Sequence, residues 1–188
     1  MDVAAGLAMA KDILRQGKAS GFPVQVTIAV AFGCPFEGDV PLERITRMVA
    51  ELVDAEPVEI ALADTIGVGV PQQVEETFVT LKEIVGSIPL RAHFHDTRNT
   101  GIANAYAAAR SGVTTLDASI GGIGGCPFAP NATGNIATED LVYMLNRSGI
   151  EHGVSLDELL GAAEWLQGVL DKSVPSSLLR AGDFTPQG

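Results

Sequence analysis

The spacing of apolar residues changes along the chain, and the changes divide it into predicted helices and strands. Leu7, Ala10 and Leu14 recur at helical spacing, so a first helix is predicted over residues 2–18. Residues 23–31 are rich in β-branched side chains and predict a strand. The same patterns predict three further strands, over residues 57–64, 90–95 and 114–119. Further helices are predicted over residues 41–54, from Pro71 onward, over residues 100–111 with Thr100 as N-cap, over 138–146, and over 155–171 with Ser155 as N-cap. An irregular tail is predicted over 172–188.

Each predicted strand is followed by a helix, and this order predicts an α/β fold built from parallel βα repeats with right-handed crossovers. The strands are nearly continuous apolar runs, as expected when both faces of a sheet are covered. Two architectures fit this order, an open doubly wound sheet and part of a (β/α)8 barrel. Both bind ligands at the carboxyl ends of strands, where the chain places polar residues such as Asp64 and Asp117.

The third predicted strand ends in His93-Phe94-His95-Asp96. Because side chains alternate along a strand, His93 and His95 point to the same side, and Phe94 points to the other. Two adjacent neutral imidazoles make a bidentate metal site. On spacing alone, a pair of hydrogen-bonded polar residues at a strand end explains the pattern equally well.

Composition and charge indicate which kinds of binding partner the chain can have. Of 188 residues, 46% are hydrophobic, and 12 basic against 23 acidic residues give a net charge of −11. Nucleic acid and anionic membrane surfaces are therefore not expected as partners, because the chain has no basic stripe. Cys34 and Cys126 do not form a disulfide framework, and no signal-peptide pattern opens the sequence, so a reducing cytoplasm is expected.

Several separated motifs carry a likeness to a known family. They are Gly33-Cys34-Pro35-Phe36-Glu37-Gly38, Asp64-Thr65-Ile66-Gly67-Val68-Gly69, His93-Phe94-His95-Asp96-Thr97, Gly121-Gly122-Ile123-Gly124-Gly125-Cys126-Pro127-Phe128-Ala129 and Gly134-Asn135-Ile136-Ala137-Thr138-Glu139-Asp140. In this order they strongly resemble the 3-hydroxy-3-methylglutaryl-CoA lyases, over about residues 10–170. That family belongs to a wider group of metal-dependent barrel enzymes that includes acyl-CoA-dependent synthases, which lack the cysteine.

The resemblance implies a TIM barrel and a carbon–carbon lyase. The family cleaves hydroxymethylglutaryl-CoA to acetyl-CoA and acetoacetate, a reaction of leucine degradation and ketone-body formation, with Mg2+ or Mn2+. The resemblance implies that His93, His95 and Asn135 are metal ligands. It also implies that His93 is a catalytic residue. Cys126 resembles the catalytic cysteine on a mobile loop, and Asp64 resembles an acidic residue that supports catalysis.

Simpler interpretations of three of these residues remain open. Cys126 could be a small buried hydrophobe. Asn135 after a glycine could be a turn residue, and Asp64 could serve only to hydrogen-bond its own loop. Cys34, in a turn beside a proline, is expected to serve packing.

The likeness covers only the later half of the family's barrel. The arginine–aspartate pair that the family's first strand supplies is absent from this chain, and a whole barrel takes about 250 residues. The single domain over residues 1–188 is therefore expected to form the last four βα units plus C-terminal helices. We expect little lyase activity from this chain alone, and a homo-oligomer or a missing barrel half as partner besides an acyl-CoA substrate. The alternatives are a catalytically incomplete half barrel or a related lyase or synthase.

Overall fold

A computed structural model describes residues 2–125 and 134–184. Its strands are β1 Val26–Ile28, β2 Ile60–Asp64, β3 Leu90–Phe94 and β4 Thr115–Asp117. Its α-helices are α1 Val3–Ala19, α2 Leu42–Val53, α3 Pro71–Val85, α4 Gly101–Arg110, α5 Thr138–Arg147, α6 Leu156–Leu170 and α7 Ser177–Ala181. Among these, no helix combines the length and the apolar composition needed to cross a membrane.

The four strands form one parallel sheet in the order β1-β2-β3-β4. Each strand pairs with the next strand along the chain because an intervening helix returns the chain to the start of the sheet. A doubly wound sheet reverses its strand order part-way, and this sheet does not. The predicted βα repeats are therefore confirmed, and the sequential order is that of a barrel segment.

The main core lies between one face of the sheet and the helices. The strand residues of this face alternate along each strand and are buried: Ile28, Ile60, Leu62, Leu90, Ala92 and Phe94. Phe94 is 1% exposed, and its ring centroid lies 5.8 Å from that of Phe32. Phe78 of α3 packs against Phe32 at 6.3 Å, so an aromatic cluster supports the carboxyl end of β3.

The opposite face of the sheet carries polar residues on β1, β3 and β4 and buried alanines on β2, which corrects the expectation that both faces are apolar along every strand. Arg91 and His93 of β3 and Thr115 and Asp117 of β4 share this face and are half-buried, and Thr27 of β1 is exposed. In a barrel this face points to the interior, where layers of side chains meet. The charged and imidazole side chains of β3 and β4 therefore lie on the inner face.

The predicted boundaries differ most from the structure at the first strand and in the C-terminal tail. The first strand is shorter than residues 23–31, since Pro23 has no N–H to donate and Val30 has a φ of 50°, a turn conformation. The tail over 172–188 is not wholly irregular, because residues 177–181 form α7. The Asp140 carboxylate accepts hydrogen bonds from the backbone N–H groups of Ser177 and Leu178, at 3.0 and 2.7 Å, and so caps this helix.

Candidate functional site

The two histidines of the His-x-His pattern lie side by side at the carboxyl end of β3. Their ring centroids are 5.1 Å apart, with the rings inclined at 64°. His93 is half-buried, and His95 is 6% exposed. Phe94 between them points into the core, as the alternation of a strand predicts. The predicted pair of adjacent imidazoles is therefore present.

Asn135 is brought to this pair by the backbone. The segment after Gly134 returns to the sheet, where Asn135 forms an isolated antiparallel bridge with His95. The Asp96 N–H donates to the Gly134 carbonyl at 3.0 Å. Asn135 Nδ2 also donates to the Ile123 carbonyl at 3.0 Å. The three predicted ligands therefore lie together.

Burial favours the neutral form of both imidazoles. It lowers the pKa of His93 below the ordinary value, the neighbouring His95 lowers it further, and the carboxylates of Asp117 and Asp64 partly oppose the shift. Burial also lowers the pKa of His95, with Asp64 again opposing. Only a neutral imidazole has a lone pair for a cation, so these shifts favour the ligand form at neutral pH.

An ion-pair network lies on the same sheet face as His93. The Arg91 guanidinium donates from Nε to Glu59 at 2.6 Å and from one terminal nitrogen to Asp117 at 2.8 Å. Thr115 donates its hydroxyl to the second oxygen of Glu59 at 2.8 Å. Desolvation opposes the charge of Arg91, but the two carboxylates more than compensate and raise its pKa. The network joins β3 and β4 to the residue before β2.

Asp64 lies at the carboxyl end of β2, but its register places it beside Phe94, on the helix-facing side of the sheet. It is fully buried, and its two oxygens accept hydrogen bonds from the N–H groups of Val68 and Gly69, at 3.0 and 2.9 Å. These contacts hold the loop between β2 and α3. The simpler of the two interpretations of Asp64 therefore has direct geometric support, and a catalytic role stays a prediction.

Comparison with known proteins identifies the family. A family model described as HMGL-like matches residues 4–166. The chain belongs to the HMGL-like family. It is 44% identical over 170 residues to an (R)-citramalyl-CoA lyase of Chloroflexus aurantiacus, a match that covers 90% of this chain and 54% of the relative. It is 39% identical over 174 residues to the hydroxymethylglutaryl-CoA lyase YngG of Bacillus subtilis, covering 93% and 58%.

A solved structure of an HMG-CoA lyase from Acinetobacter baumannii, in complex with coenzyme A and 3-methylmalate, superposes with a TM-score of 0.92 at 37% identity. The superposition covers 100% of this chain and 61% of that one. This confirms both the resemblance and the partial TIM barrel. The chain spans about half the length of the curated relatives that it matches.

Cys126, which the family resemblance predicts to be catalytic, lies outside the described residues. Cys34, the other cysteine, is partly buried against the core, in a turn closed by two backbone hydrogen bonds with Gly38 at 2.8 and 2.9 Å. This position agrees with the predicted packing role of Cys34.

Sequence reasoning missed a role for Glu139, in the first turn of α5. Its side chain is fully buried, and both oxygens accept from the Gly121 N–H, at 2.8 and 3.0 Å. Burial raises its pKa, and the bond from Gly121 partly opposes the shift. Glu139 therefore fixes the first glycine of the Gly-rich loop. Its place in Gly134–Asp140 was recognised as part of a motif, but the sequence did not show which backbone group it binds.

The residues present fit part of a divalent-metal site. The buried Nδ1 of His95 has no hydrogen-bond partner in the described structure, an atom that a ligand would satisfy. The bond from Asn135 Nδ2 to Ile123 orients the amide, whose oxygen is the atom a cation binds. In residues 2–125 and 134–184, no group of three His, Cys, Asp or Glu side chains could hold a metal. The described donors are thus two imidazoles and one amide.

Replacing Gly134 with alanine is expected to destabilise the chain and displace Asn135. Gly134 has a φ of +101°, and an added Cβ would collide with the Gly124 carbonyl. We expect a loss of roughly 2 to 3 kcal/mol in the free energy of unfolding, measured by denaturant titration.

Gly21→Ala is the matched control, because Gly21 also has a positive φ, +76°, but has nothing within 4 Å of the added Cβ. It should cost about 1 kcal/mol and leave metal affinity unchanged. Equal losses in the two variants would show that the Gly134–Gly124 approach is unimportant.

Proposed function

We propose that this chain supplies the imidazole side of a divalent-metal site in a carbon–carbon lyase that cleaves a 3-hydroxyacyl-CoA. The observation that carries the proposal is the adjacency of His93, His95 and Asn135 at the carboxyl end of β3. In an HMGL-like chain, this is the end of a barrel where substrates bind. His93, His95 and Asn135 would hold Mg2+ or Mn2+, and two imidazoles favour Mn2+ over Mg2+.

The proposed reaction is a retro-Claisen cleavage. A base removes the proton of the 3-hydroxyl group, the bond between C2 and C3 breaks, and its electron pair passes to the thioester as an enolate. The enolate then takes a proton at carbon to give acetyl-CoA, and C3 leaves as a ketone. When bound, the cation polarises the hydroxyl and carboxylate oxygens and stabilises the alkoxide.

Several residues of this chain have a proposed role in this reaction. Cys126 is proposed as the proton donor to the enolate, since a thiol in a Gly-rich loop can approach the substrate closely. Asp64 keeps the loop between β2 and α3 in place, and Glu139 does the same for Gly121. The neutral imidazoles of His93 and His95 would bind the cation and so orient the substrate. The carboxylates on the polar inner face beside them carry negative charge that compensates the positive charge of the cation.

The substrate is proposed to be a CoA thioester of a 3-hydroxy-3-methyl dicarboxylic acid, such as hydroxymethylglutaryl-CoA. Both relatives support this class, because hydroxymethylglutaryl-CoA and citramalyl-CoA each join a tertiary alcohol and a free carboxylate to a thioester. They differ by one methylene between C3 and the carboxylate. The ketone product is therefore acetoacetate from the first and pyruvate from the second.

A second candidate is a catalytically incomplete half barrel that associates with itself or with another half. Among the described strands, β1 and β4 each have a single neighbour, and Thr27 on the inner face of β1 is exposed. Unpaired backbone groups at a strand edge favour pairing with another chain. Sedimentation of the purified chain tests association with itself: a monomer at micromolar concentration would contradict it.

A chimera tests the lyase proposal. Residues 4–166 would replace the matching segment of the B. subtilis hydroxymethylglutaryl-CoA lyase, to which the chain is 39% identical. We expect Mn2+-dependent release of acetyl-CoA from hydroxymethylglutaryl-CoA, followed by a coupled assay, because the segment carries the imidazole and cysteine positions.

The control is the same chimera with His93→Ala, which should lose at least tenfold in rate at limiting Mn2+, about 1.4 kcal/mol in cation affinity. A folded chimera without turnover, or one whose turnover survives His93→Ala, would contradict the proposal.

A further inference from the structure

Asp117 stands between the ion-pair network and the candidate metal site. Its register on β4 places it directly beside His93 on β3. Its Oδ1 accepts a hydrogen bond from Arg91 at 2.8 Å, and its Oδ2 lies 3.7 Å from Nδ1 of His93. The two oxygens of one carboxylate therefore face two different partners, a fixed cationic donor and an imidazole ring.

The bond from Arg91 restrains the Asp117 carboxylate. Arg91 is itself held on its other side by Glu59, at 2.6 Å, and Glu59 is 8% exposed and held in turn by Thr115. Asp117 thus binds a guanidinium that other contacts restrain. One guanidinium faces two carboxylates, so the network has one negative charge in excess, beside His93.

A carboxylate oxygen is only an acceptor, so it favours a proton on the ring nitrogen that faces it. At 3.7 Å the contact is longer than a hydrogen bond, and it acts here through charge. A proton on Nδ1 leaves the lone pair of a neutral imidazole on Nε2. Carboxylates that orient a histidine in this way recur behind metal-bound imidazoles.

We propose that Asp117, held by Arg91, is a positioning residue that fixes His93 in the Nδ1–H tautomer and so presents Nε2 as the nitrogen for a divalent cation. This inference rests on the proposed metal site. It assigns a role to a network that the proposed reaction does not otherwise use.

Asp117→Asn tests the inference because it keeps the shape of the side chain and replaces one acceptor oxygen with an NH2 donor. The single amide oxygen of Asn accepts the hydrogen bond from Arg91, so the NH2 group faces Nδ1 of His93. A donor there requires Nδ1 to accept, and the proton moves to Nε2. The variant should therefore reverse the tautomer, and not merely loosen it.

Glu59→Gln is the matched control. It neutralises the other carboxylate of the network, but its amide oxygen can still accept from Arg91, and Thr115 can accept from its NH2 group. Asp117 keeps its bond to Arg91, so the tautomer of His93 should not change. Thermal unfolding followed by circular dichroism checks that both variants fold.

The experiment uses the 188-residue chain labelled with 15N-histidine and free of metal, at a pH well above the imidazole pKa. Two-bond 15N–1H correlations identify the tautomer of each ring, and Mn2+ titration measures affinity. We expect the Nδ1–H tautomer for His93 in the wild type and in Glu59→Gln. In Asp117→Asn we expect the Nε2–H tautomer and at least a tenfold loss of Mn2+ affinity.

A wild-type tautomer in folded Asp117→Asn, or a reversed tautomer with unchanged Mn2+ affinity, would overturn the inference. If Asp117→Asn does not fold, Asp117→Ala replaces it, and a wild-type tautomer without the carboxylate would also overturn the inference. A wild-type chain that binds no Mn2+ would instead contradict the proposed function, while the tautomer measurement would still decide whether Asp117 controls His93.

Discussion

Replacing Cys126 with alanine in the chimera is expected to lower kcat by roughly 10² to 10⁴, with little change in KM. A group that transfers a proton acts mainly in the transition state, so its loss affects turnover more than substrate binding. Cys126 follows Gly124 and Gly125 in the sequence, and backbone without side chains allows a thiol to approach a ligand closely. Steady-state kinetics with hydroxymethylglutaryl-CoA measures both constants.

Cys34→Ala is the control for this prediction. Cys34 packs against the core and is held in the turn that Gly38 closes, so its loss should leave kcat within about twofold, since conservative changes at partly buried positions have small effects. Equal losses of kcat for the two variants would mean that both thiols serve packing, and the assignment of Cys126 would be wrong.

Replacing Phe94 with alanine is expected to reduce the free energy of unfolding by about 3 to 5 kcal/mol. Its ring is 1% exposed and packs against Phe32 on the helix side of the sheet. The cavity would lie directly behind the strand that presents His93 and His95, so the loss of packing should also weaken Mn2+ binding. Denaturant titration measures the first effect, and calorimetry the second.

Phe36→Ala removes the same side chain where it has no packing role, because Phe36 is 87% exposed. Its expected effect is below about 0.5 kcal/mol. A loss for Phe94→Ala no larger than that for Phe36→Ala would show that the aromatic cluster does not support the end of β3.

The order of elements could be predicted because each strand and helix carries its own local pattern. Ser155 was correctly predicted as the N-cap of α6, where its hydroxyl accepts from the Glu158 N–H. Thr100 was predicted to cap α4, yet its side chain makes no capping bond, and the Asp96 carboxylate accepts from the Gly101 N–H at 2.8 Å instead. Local sequence locates the start of a helix, but the side chain that satisfies it depends on the fold of the turn.

The histidine pair could be predicted from alternation alone, since Phe94 between two imidazoles determines which way each points. Asn135 could not, because 40 positions separate it from His95 and only the bridge between their backbones brings them together. Its prediction depended on the family resemblance. The network of Glu59, Arg91 and Asp117 was also missed, because Arg91 and Asp117 lie on two different strands and Glu59 directly precedes a third, and a single sequence does not show the register of these strands.

The alternation of side chains along the strands places the aspartates that end β2 and β4 on opposite faces of the sheet. Asp64 shares a face with the apolar residues of the core and binds its own loop, whereas Asp117 shares a face with His93. The aspartate that the resemblance singled out therefore lies on the helix side of the sheet. Asp117, the aspartate beside His93 in register, is one for which the resemblance implied no role.

The most direct test of the central claim is pulsed electron paramagnetic resonance of Mn2+ bound to the chain, which detects the nitrogen nuclei of coordinated imidazoles. The account predicts coupling to two imidazoles in the wild type and to one in His93→Ala and in His95→Ala. Each substitution should also weaken binding at least tenfold, about 1.4 kcal/mol. Mn2+ without imidazole coupling, or with the same coupling and affinity in both variants, would contradict the account.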